Sequence, residues 1–464
     1  MTTVAIVGAG PAGLRAAEQL VRAGLRPVLI DEAAQVGGQI YRQPPAALQR
    51  PAKALYGFEA AKARALFERF SALQPQIDHR PGTLVWHIEG RNLHLLQGEQ
   101  AASLPFDALI LATGATDRVL PFPGWTLPGV FTLGAAQVAL KAQASLIGPR
   151  VVFAGTGPLL YLVAWQTTQA GGAVQAVLDS APANARRLAL PQLLARPSVA
   201  AKGAYFLARL QLAGVPVLRG VRLLRAEGSD RVQRLHWQQG TRLQRSDCDA
   251  IAFGHGLRSE TQLADLAGCV FDFDELDQAW LPRRDHAGRS SVAGVYLAGD
   301  GAAILGADAA EHSGALAAQA LLNDLGGSAP AAAAPAPGQT AHRRFRQGLE
   351  TLFPLPADWA AQAQDELVVC RCEEVTAGEL RACVRDTGTR ELNRLKALTR
   401  IGMGRCQGRM CAPAAARLLA DAAGCSLAEV GRLRGQPPVK PVPIAALAAA
   451  WSAPGPVPAE ERDD

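Results

Sequence analysis

A glycine-rich turn near the N-terminus, in the stretch VAIVGAGPAGL, constrains the fold of this chain more than any other feature. Gly8, Gly10 and Gly13 match the pattern G-x-G-x-x-G directly after a short apolar strand pattern. The first glycine of this pattern makes a tight turn, the second lets the backbone approach a pyrophosphate, and the third allows close packing of helix on strand. Pro11 and Ala12 open the following helix, whose N-terminus favours an anion. The stretch predicts the start of a β-α-β unit that binds a dinucleotide.

A carboxylate follows at the position where a dinucleotide-binding β-α-β unit binds the ribose. Asp31 lies 18 residues after Gly13, at the end of the second strand pattern, PVLIDE. A carboxylate there accepts hydrogen bonds from ribose hydroxyls, and the neighbouring Glu32 is the alternative candidate. Gly38 and Gln39 come next, where close backbone approach to a flavin is useful. Strand, helix and acid at this spacing favour a nucleotide site over a glycine turn without a ligand.

Two later turns point to FAD as the nucleotide. Thr113 and Gly114 close the strand pattern DALILATGA, and Gly299 and Asp300 end the pattern VYLAGD. Each turn alone could be ordinary turn chemistry. Their order along the chain resembles the glutathione-reductase type of flavoprotein, an α/β fold with two nested Rossmann-like dinucleotide-binding domains. The resemblance implies that Asp300 binds the ribityl chain of FAD and that the next helix points its N-terminus at the flavin ring.

A second β-α-β pattern begins near residue 151 and departs from the fingerprint. It reads Gly155-x-Gly157-x-x-Leu160, so leucine replaces the third glycine and limits the approach of helix to strand. Asp179 follows Leu160 by 19 residues and is the candidate for a ribose hydroxyl. NAD, another adenine nucleotide and an empty site all remain open here.

Four cysteines near the C-terminus are candidate metal ligands. They read C-x-C and, after a long gap, C-x4-C: Cys370, Cys372, Cys406 and Cys411. Thiolates suit iron–sulfur clusters or zinc. A four-thiolate shell closes only if the intervening chain folds back, and helical patterns at 375–386 and 390–400 could supply that fold-back. We favour a [2Fe–2S] cluster, because zinc sites are typically built from C-x2–4-C pairs.

The remaining features exclude several classes of protein. A net charge of +6 without a basic stripe interleaved with aromatic residues does not favour nucleic-acid binding. No run of 18 apolar residues occurs, so we expect no membrane span. The first strand pattern begins close to Met1, which we take to leave no room for a signal peptide. These features predict a cytoplasmic protein. GGQIYR and residues 130–160 lack cysteine, so we expect no disulfide reduction at the flavin.

The patterns divide the chain into domains. We predict a discontinuous FAD-binding domain at 1–117 and 257–325, with an NAD(P)-binding-like domain at 118–256 inserted into it. Residues 326–340 are rich in Ala, Pro and Gly and predict a linker. A small, mainly α-helical [2Fe–2S] domain with an extended tail is expected at 341–464.

The segments VVCRCEEVTAGELRACV and LKALTRIGMGRCQGRMCAP resemble the [2Fe–2S] domain typical of bacterioferritin-associated ferredoxin. With DE…GGQIYR, AGTGPLL and PPVKPV, they resemble the flavoprotein α subunits of heteromeric amine and imino-acid dehydrogenases, such as opine oxidases, hydrogen cyanide synthase and D-hydroxyproline dehydrogenases. That family implies an FAD-containing β subunit of the glycine- or sarcosine-oxidase type that oxidises the substrate, a downstream electron acceptor and a small ferredoxin-like γ subunit. It leaves open an FMN at the subunit interface and peripheral association with the inner membrane.

The resulting hypothesis is an electron-transferring FAD/[2Fe–2S] subunit of a complex that oxidises a D-imino acid, an opine or a related amine. The catalytic residues are not identifiable in this chain. Two alternatives remain: a self-sufficient NAD(P)H-dependent reductase that feeds an external acceptor, and a non-catalytic scaffold with zinc at the cysteines.

Overall fold

The structure is a computed structural model that describes residues 2–45, 47–48, 50–326 and 338–452. Residues 327–337 of the predicted linker lie outside that set. The strands are β1 Val4–Val7, β2 Val28–Ile30, β3 Asp78–Arg80, β4 Thr83–Glu89, β5 Asn92–Gln97, β6 Gln100–Pro105, β7 Ala108–Leu111, β8 Ala115–Asp117, β9 Val130–Thr132, β10 Arg150–Thr156, β11 Ala173–Asp179, β12 Val217–Arg219, β13 Val221–Glu227, β14 Arg234–Gln239, β15 Arg242–Asp247, β16 Ala250–His255, β17 Leu257–Ser259, β18 Phe271–Asp274, β19 Ala279–Pro282, β20 Val295–Leu297, β21 Val368–Cys370 and β22 Val375–Thr376.

The helices alternate with these strands along most of the chain. They are α1 Pro11–Arg22, α2 Ala52–Tyr56, α3 Ala60–Leu73, α4 Leu133–Ala142, α5 Pro158–Gln169, α6 Ala185–Leu193, α7 Pro197–Leu212, α8 Gln262–Leu266, α9 Ala307–Asp324, α10 Gly338–Leu352, α11 Trp359–Gln362, α12 Ala377–Thr387, α13 Leu392–Thr399, α14 Ala412–Ala423 and α15 Ile444–Ser452.

The first sheet is parallel and has the strand order β20-β7-β1-β2-β3. Its central strands are apolar and buried throughout, because helices and other chain segments cover both faces. Helices α1 and α9 pack against each other on one side of it. This arrangement brings strands from both ends of the first 300 residues into one sheet.

The second parallel sheet has the order β12-β11-β10-β16-β9 and lies in sequence between β7 and β20. The chain therefore leaves the first sheet, builds the second and returns. Short strands β8 and β17 pair antiparallel where the chain crosses between the two. The structure confirms the nested Rossmann-like fold class, while the domain boundaries given above stay predictions.

The C-terminal part contains the four candidate ligands. Its helices α12, α13 and α14 pack together beside the short pair β21-β22. The core of this part is continuous with the core under the second sheet, where the indole N–H of Trp125 donates to the carbonyl oxygen of Val368. The fold-back that a four-thiolate site needs is therefore present. It is built from two helices near the positions that the sequence predicted.

Candidate functional site

The first glycine turn is closed by backbone contacts that exclude any side chain. Gly8 has φ +109°, and a Cβ built on it would lie 2.3 Å from the carbonyl oxygen of Ala112. A Cβ on Gly13 would lie 1.8 Å from the carbonyl oxygen of Gly8. Both positions therefore require glycine, for the reasons that the fingerprint predicts.

The second glycine of the fingerprint forms one wall of a narrow backbone cradle. A Cβ on Gly38 would lie 3.0 Å from the Cα of Gly10, so the two chain segments face each other without side chains between them. Helix α1 begins directly after Gly10 and has no side-chain cap. Its first N–H groups are thus available to an anion. The cradle fits the pyrophosphate of a dinucleotide.

Asp31 stabilises this cradle from the end of β2. Its carboxylate accepts hydrogen bonds from the N–H groups of Ala9, at 2.6 Å, and Ala33, at 2.7 Å. Burial raises its pKa, while the two N–H bonds oppose that shift. Glu32, the alternative candidate, instead forms an ion pair with Lys440 from the C-terminal tail. The side chain of Gln39 is exposed.

The other predicted FAD residues meet at the same edge of the first sheet. A Cβ on Gly301 would lie 2.5 Å from Oγ1 of Thr113, so the turn after β20 packs on the turn after β7. Asp300 accepts hydrogen bonds from the N–H groups of Leu305, at 2.9 Å, and Gly306, at 3.0 Å. One of its carboxylate oxygens therefore orders the loop before α9. Burial raises the pKa of Asp300.

The helix that the sequence places directly after Asp300 begins several residues later in the structure. A short 3₁₀ turn occupies Gly299–Gly301, and α9 begins only at Ala307. The carboxyl ends of β20, β7, β1 and β2 nevertheless lie side by side. In open α/β sheets, ligands bind in the crevice at such strand ends. The residues present there fit FAD.

The second glycine turn keeps its backbone geometry. A Cβ on Gly155 would lie 1.9 Å from the carbonyl oxygen of Gly254, and Gly157 has φ +114° at the start of α5. Leu160 is fully buried. A cavity of about 1020 Å³ opens beside this turn, and its lining includes Arg186 and Arg187 among many apolar side chains.

Asp179 does not face that cavity. It is fully buried, and its carboxylate accepts hydrogen bonds from the Tyr161 hydroxyl at 2.6 Å and from the Ala181 N–H at 2.9 Å. Arg219 lies 3.2 Å away as its ion-pair partner. Burial raises the pKa of Asp179. These contacts occupy the carboxylate within the protein and do not favour the predicted role in binding a ribose.

The four cysteines come together as two pairs. The thiol of Cys411 donates a hydrogen bond to the sulfur of Cys370, and the thiol of Cys372 donates one to the sulfur of Cys406. Cys370 and Cys411 are buried, whereas Cys372 is exposed. The hydrogen bond from Cys411 lowers the pKa of Cys370 to about 5, and the same contact raises the pKa of Cys411.

The spacing of the sulfur atoms distinguishes a four-thiolate zinc site from a [2Fe–2S] cluster. Four thiolates on one tetrahedral zinc lie about 3.8 Å apart, given a Zn–S distance of ~2.3 Å. Within the described residues, no three of these sulfurs lie within 4.8 Å of one another. Two separate pairs match a cluster in which each of two irons takes two thiolates. The donor set therefore fits [2Fe–2S] better than zinc.

Backbone N–H groups surround the sulfurs. Cys370 accepts hydrogen bonds from the N–H groups of Cys372, Glu373 and Gly402, and Cys372 accepts one from Cys406. A Cβ on Gly404 would lie 2.3 Å from the Cβ of Cys372, so the loop needs glycine there. Hydrogen bonds to sulfur stabilise the negative charge of a thiolate cluster.

His255 is a buried residue at the end of β16. Its ring lies inside the protein, and Nδ1 has no hydrogen-bond partner. Burial, reinforced by Arg118 and Arg417, lowers its pKa to about 3, so the ring is neutral at physiological pH.

Sequence reasoning missed the contacts between distant segments. Glu260 pairs at 2.7 Å with Arg409, which lies in the loop of residues 401–411 that contains Cys406 and Cys411 and that we name the cysteine loop, and Lys440 pairs with Glu32. These partners lie 149 and 408 residues apart, respectively. No local pattern links them.

Comparisons with known proteins agree with this geometry. Residues 2–322 match the family of pyridine nucleotide-disulphide oxidoreductases, and residues 365–451 match the sarcosine oxidase A3 domain. The chain is 39% identical to an opine oxidase subunit of Rhizobium meliloti, over 96% of this chain and 87% of that protein. It is 34% identical to hydrogen cyanide synthase subunit HcnB of Pseudomonas aeruginosa, over 95% of this chain and 97% of that protein.

A solved structure shows the same fold. L-proline dehydrogenase from P. horikoshii matches with a TM-score of 0.70 at 22% identity, over 96% of this chain and 79% of that chain. Among the helices in the described residues, none combines the length and the hydropathy that crossing a bilayer requires.

Proposed function

The chain belongs to the family of flavin-dependent oxidoreductases that contains these opine oxidase and hydrogen cyanide synthase subunits, and on that premise we propose that it is the electron-transfer subunit of a heteromeric dehydrogenase. It would hold FAD and a [2Fe–2S] cluster. The substrate would be a D-imino acid of the D-hydroxyproline or D-proline type, an opine or a related amine. That substrate would be oxidised on a partner β subunit.

The observation that carries this proposal is the presence of two redox sites in one folded chain. A glycine cradle at the edge of the first sheet suits a dinucleotide, and two pairs of thiols in the C-terminal part suit two irons. The family match to residues 2–322 implies FAD, and the match to residues 365–451 is consistent with a [2Fe–2S] site.

The side chains named above have distinct parts in this function. Gly8, Gly10 and Gly38 let the backbone approach the pyrophosphate, and Asp31 keeps the first turn in place for the ribose. Asp300 orders the loop at the end of β20, close to where the ribityl chain would lie. When bound, FAD can accept two electrons as a hydride and release them singly to a cluster that carries one at a time. The protein positions both groups and excludes water from the buried thiols.

Support for a partner comes from the relatives. The similar proteins from opine oxidase, hydrogen cyanide synthase and sarcosine oxidase are each named as one subunit of a larger enzyme. The partner we propose is an FAD-containing β subunit of the glycine- or sarcosine-oxidase type, with a small ferredoxin-like γ subunit. We place the complex in the cytoplasm, with peripheral attachment to the inner membrane as one outcome to test.

Expression with and without the partners tests the proposal. The chain alone should be coloured by both flavin and iron and should show no imino-acid oxidation with an artificial electron acceptor. Adding the β and γ subunits should restore turnover with D-hydroxyproline, D-proline or an opine. Full turnover by the chain alone would contradict its assignment to a heteromeric complex, and stoichiometric zinc without iron would contradict the cluster.

The intact second glycine turn keeps one alternative function testable. Gly155 and Gly157 retain the conformation that a nucleotide loop needs, and Arg186 and Arg187 line the adjacent cavity. A self-sufficient NAD(P)H-dependent reductase would bleach its flavin rapidly when mixed with NADH or NADPH. The carboxylate of Asp179 is already bound by Tyr161 and Arg219 and is not free to bind a ribose. We therefore expect millimolar NADH to cause no bleaching of the flavin in stopped-flow measurements.

A further inference from the structure

Residues 258–262, which we name the bridge segment, contact the predicted FAD residues directly. The N–H of Glu260 donates to the carbonyl oxygen of Gly114 at 2.9 Å, and the Thr113 hydroxyl donates to the carbonyl oxygen of Glu260 at 2.6 Å. Ser259 pairs with Ala115 in the two-stranded ladder of β17 and β8. The bridge segment is therefore attached by backbone bonds to the turn that follows β7.

Three of these five residues also contact the cysteine loop, on the other side of the bridge segment. Arg258 donates from Nη1 to the carbonyl oxygen of Arg409 at 3.2 Å. Arg409 donates from Nε to Oε2 of Glu260 at 2.7 Å, and both side chains of that pair are largely buried. Gln262 donates from Nε2 to the carbonyl oxygen of Gln407 at 2.6 Å. Gln407 and Arg409 lie between the ligands Cys406 and Cys411.

The bridge segment also brings an uncompensated positive charge to the thiols. Arg258, Arg409 and Glu260 together carry a net charge of +1, because one carboxylate faces two guanidinium groups. The charge of Arg258 acts on Cys406 and Cys411, and its side chain is half-buried. A charge in such a position is screened less than one in solvent. By contrast, Arg405 is exposed although it is next to Cys406 in sequence.

We propose that the bridge segment is the positioning element between the two redox sites and that Arg258 is the residue that raises the reduction potential of the cluster. The proposal rests on the proposed function, because it assumes that the four cysteines hold [2Fe–2S]. A cluster with four thiolates is net negative and gains one further negative charge when it is reduced. A fixed cation beside two of its ligands stabilises the reduced form, and net charge is one of the factors that set these potentials. Electrons arriving one at a time from the flavin side would then be held at the cluster.

The direct test is a redox titration of the purified holoprotein with the variant Arg258→Gln. Dithionite supplies the electron for the one-electron reduction of the cluster, and EPR follows the reduced form. We expect the potential of the variant to fall by the equivalent of a tenfold change in the reduction equilibrium, which is about 59 mV for one electron. Iron and flavin contents should match those of the unmodified protein. Arg258→Lys should retain most of the potential, because it keeps the charge.

Two further variants separate charge from structure. Arg405→Gln makes the same charge change in the same loop on an exposed side chain, so its effect on the potential should be much smaller. Glu260→Gln removes the negative charge from the bridge segment, so it should shift the potential upward, opposite to Arg258→Gln. Purely structural damage would not produce shifts of opposite sign.

The outcomes distinguish the proposal from the function on which it rests. If the unmodified protein contains no iron, the proposed function fails and the bridge segment is not concerned with a cluster. If the cluster is present and Arg258→Gln leaves its potential unchanged, or if both bridge variants shift it in one direction, only the assignment of Arg258 is overturned. Should Arg258→Gln lose its iron, the potential of Glu260→Gln becomes the test. An upward shift would support an electrostatic effect of the bridge segment on the cluster, and an unchanged or lower potential would overturn it.

Discussion

At the residue scale, the two thiol pairs differ in their surroundings. Cys370 and Cys411 lie in the protein interior, while Cys372 reaches the surface. The N–H groups that point at Cys370 stabilise its thiolate, which is the form in which a cysteine binds a metal.

Replacing one ligand should therefore remove the cluster without unfolding the rest of the protein. For Cys411→Ser we expect loss of most of the iron, of the visible absorbance above that of flavin and of the EPR signal after reduction. The matched control is Cys383→Ser, because Cys383 is half-buried in α12 and contacts Thr387 instead of the ligand thiols. Equal iron contents in the two variants would rule out Cys411 as a ligand.

The third fingerprint glycine gives a second prediction at this scale. In Gly13→Ala the new Cβ would clash with the Gly8 carbonyl, so we expect destabilisation of about 1–3 kcal/mol and loss of bound flavin. Gly203→Ala is the control, because a Cβ there meets nothing within 4 Å in the exposed face of α7. Helix propensity should make that variant up to ~1 kcal/mol more stable. Urea unfolding and flavin content measure both effects.

At the scale of elements, a carboxylate in α8 ties the C-terminal tail to the first domain. Asp265 accepts two hydrogen bonds from Arg432, at 2.7 and 2.8 Å, and another from the N–H of Gly435. Arg432 also covers the ring of Phe271, with 3.6 Å between guanidinium carbon and ring centroid. Burial tends to raise the pKa of Asp265, but these partners more than offset it, and its pKa is lowered.

This contact predicts a pH-dependent contribution to stability. Because the folded pKa lies below the unfolded value, ionised Asp265 stabilises the fold above pH ~4, and that contribution is lost as the pH falls through the folded pKa. Asp265→Asn should cost about 2 kcal/mol at pH 7, less than a fully buried pair because Arg432 is partly exposed. The difference from the unmodified protein should shrink in urea titrations as the pH is lowered to about 3.5.

The exposed ion pair of Asp272 and Arg283 provides the control for this prediction. It has similar bidentate geometry, with bonds of 2.7 and 2.8 Å, but both side chains are more than half exposed. Solvent screening should leave Asp272→Asn with little change in stability at any pH tested. A loss as large as that of Asp265→Asn would mean that charge alone, and not burial, controls the contact.

At the scale of the whole molecule, the C-terminal part and the unit built on the second sheet share one core. Trp125 is 2% exposed and donates its indole N–H to the carbonyl oxygen of Val368 at 2.6 Å, next to β21. Trp359 makes a reciprocal bond to the carbonyl oxygen of Pro121 at 2.9 Å. Two parts that share buried side chains in this way should unfold together.

Replacing Trp125 should let the C-terminal part and the unit on the second sheet unfold separately. We expect Trp125→Ala to cost about 3–5 kcal/mol, as other large-to-small core changes do, and to split a single calorimetric transition into two. Trp125→Phe keeps most of the apolar contact and should retain one transition at a lower temperature. A single transition in both variants would show that other contacts, such as those of the bridge segment, are sufficient for cooperativity.

The fold class could be predicted from sequence because its signals are local. Tight glycine turns need particular residues at short, regular spacing, as Gly8, Gly10 and Gly13 show, and buried parallel strands leave apolar runs such as Val4–Val7. The cysteine spacing and the two helical patterns between its halves were equally local. These local features are sufficient to indicate the family and the candidate ligands.

The chain by itself therefore determined which residue types are available for the two proposed redox sites and the order in which they occur. Only the tertiary structure decided which residues meet. It paired Glu32 with Lys440, enclosed Asp179, and placed Arg258 and Glu260 between the turn that follows β7 and the loop that contains Cys406 and Cys411. The physical reason is that burial and charge pairing depend on three-dimensional contacts between segments far apart in the chain. A short stretch of sequence does not specify such contacts.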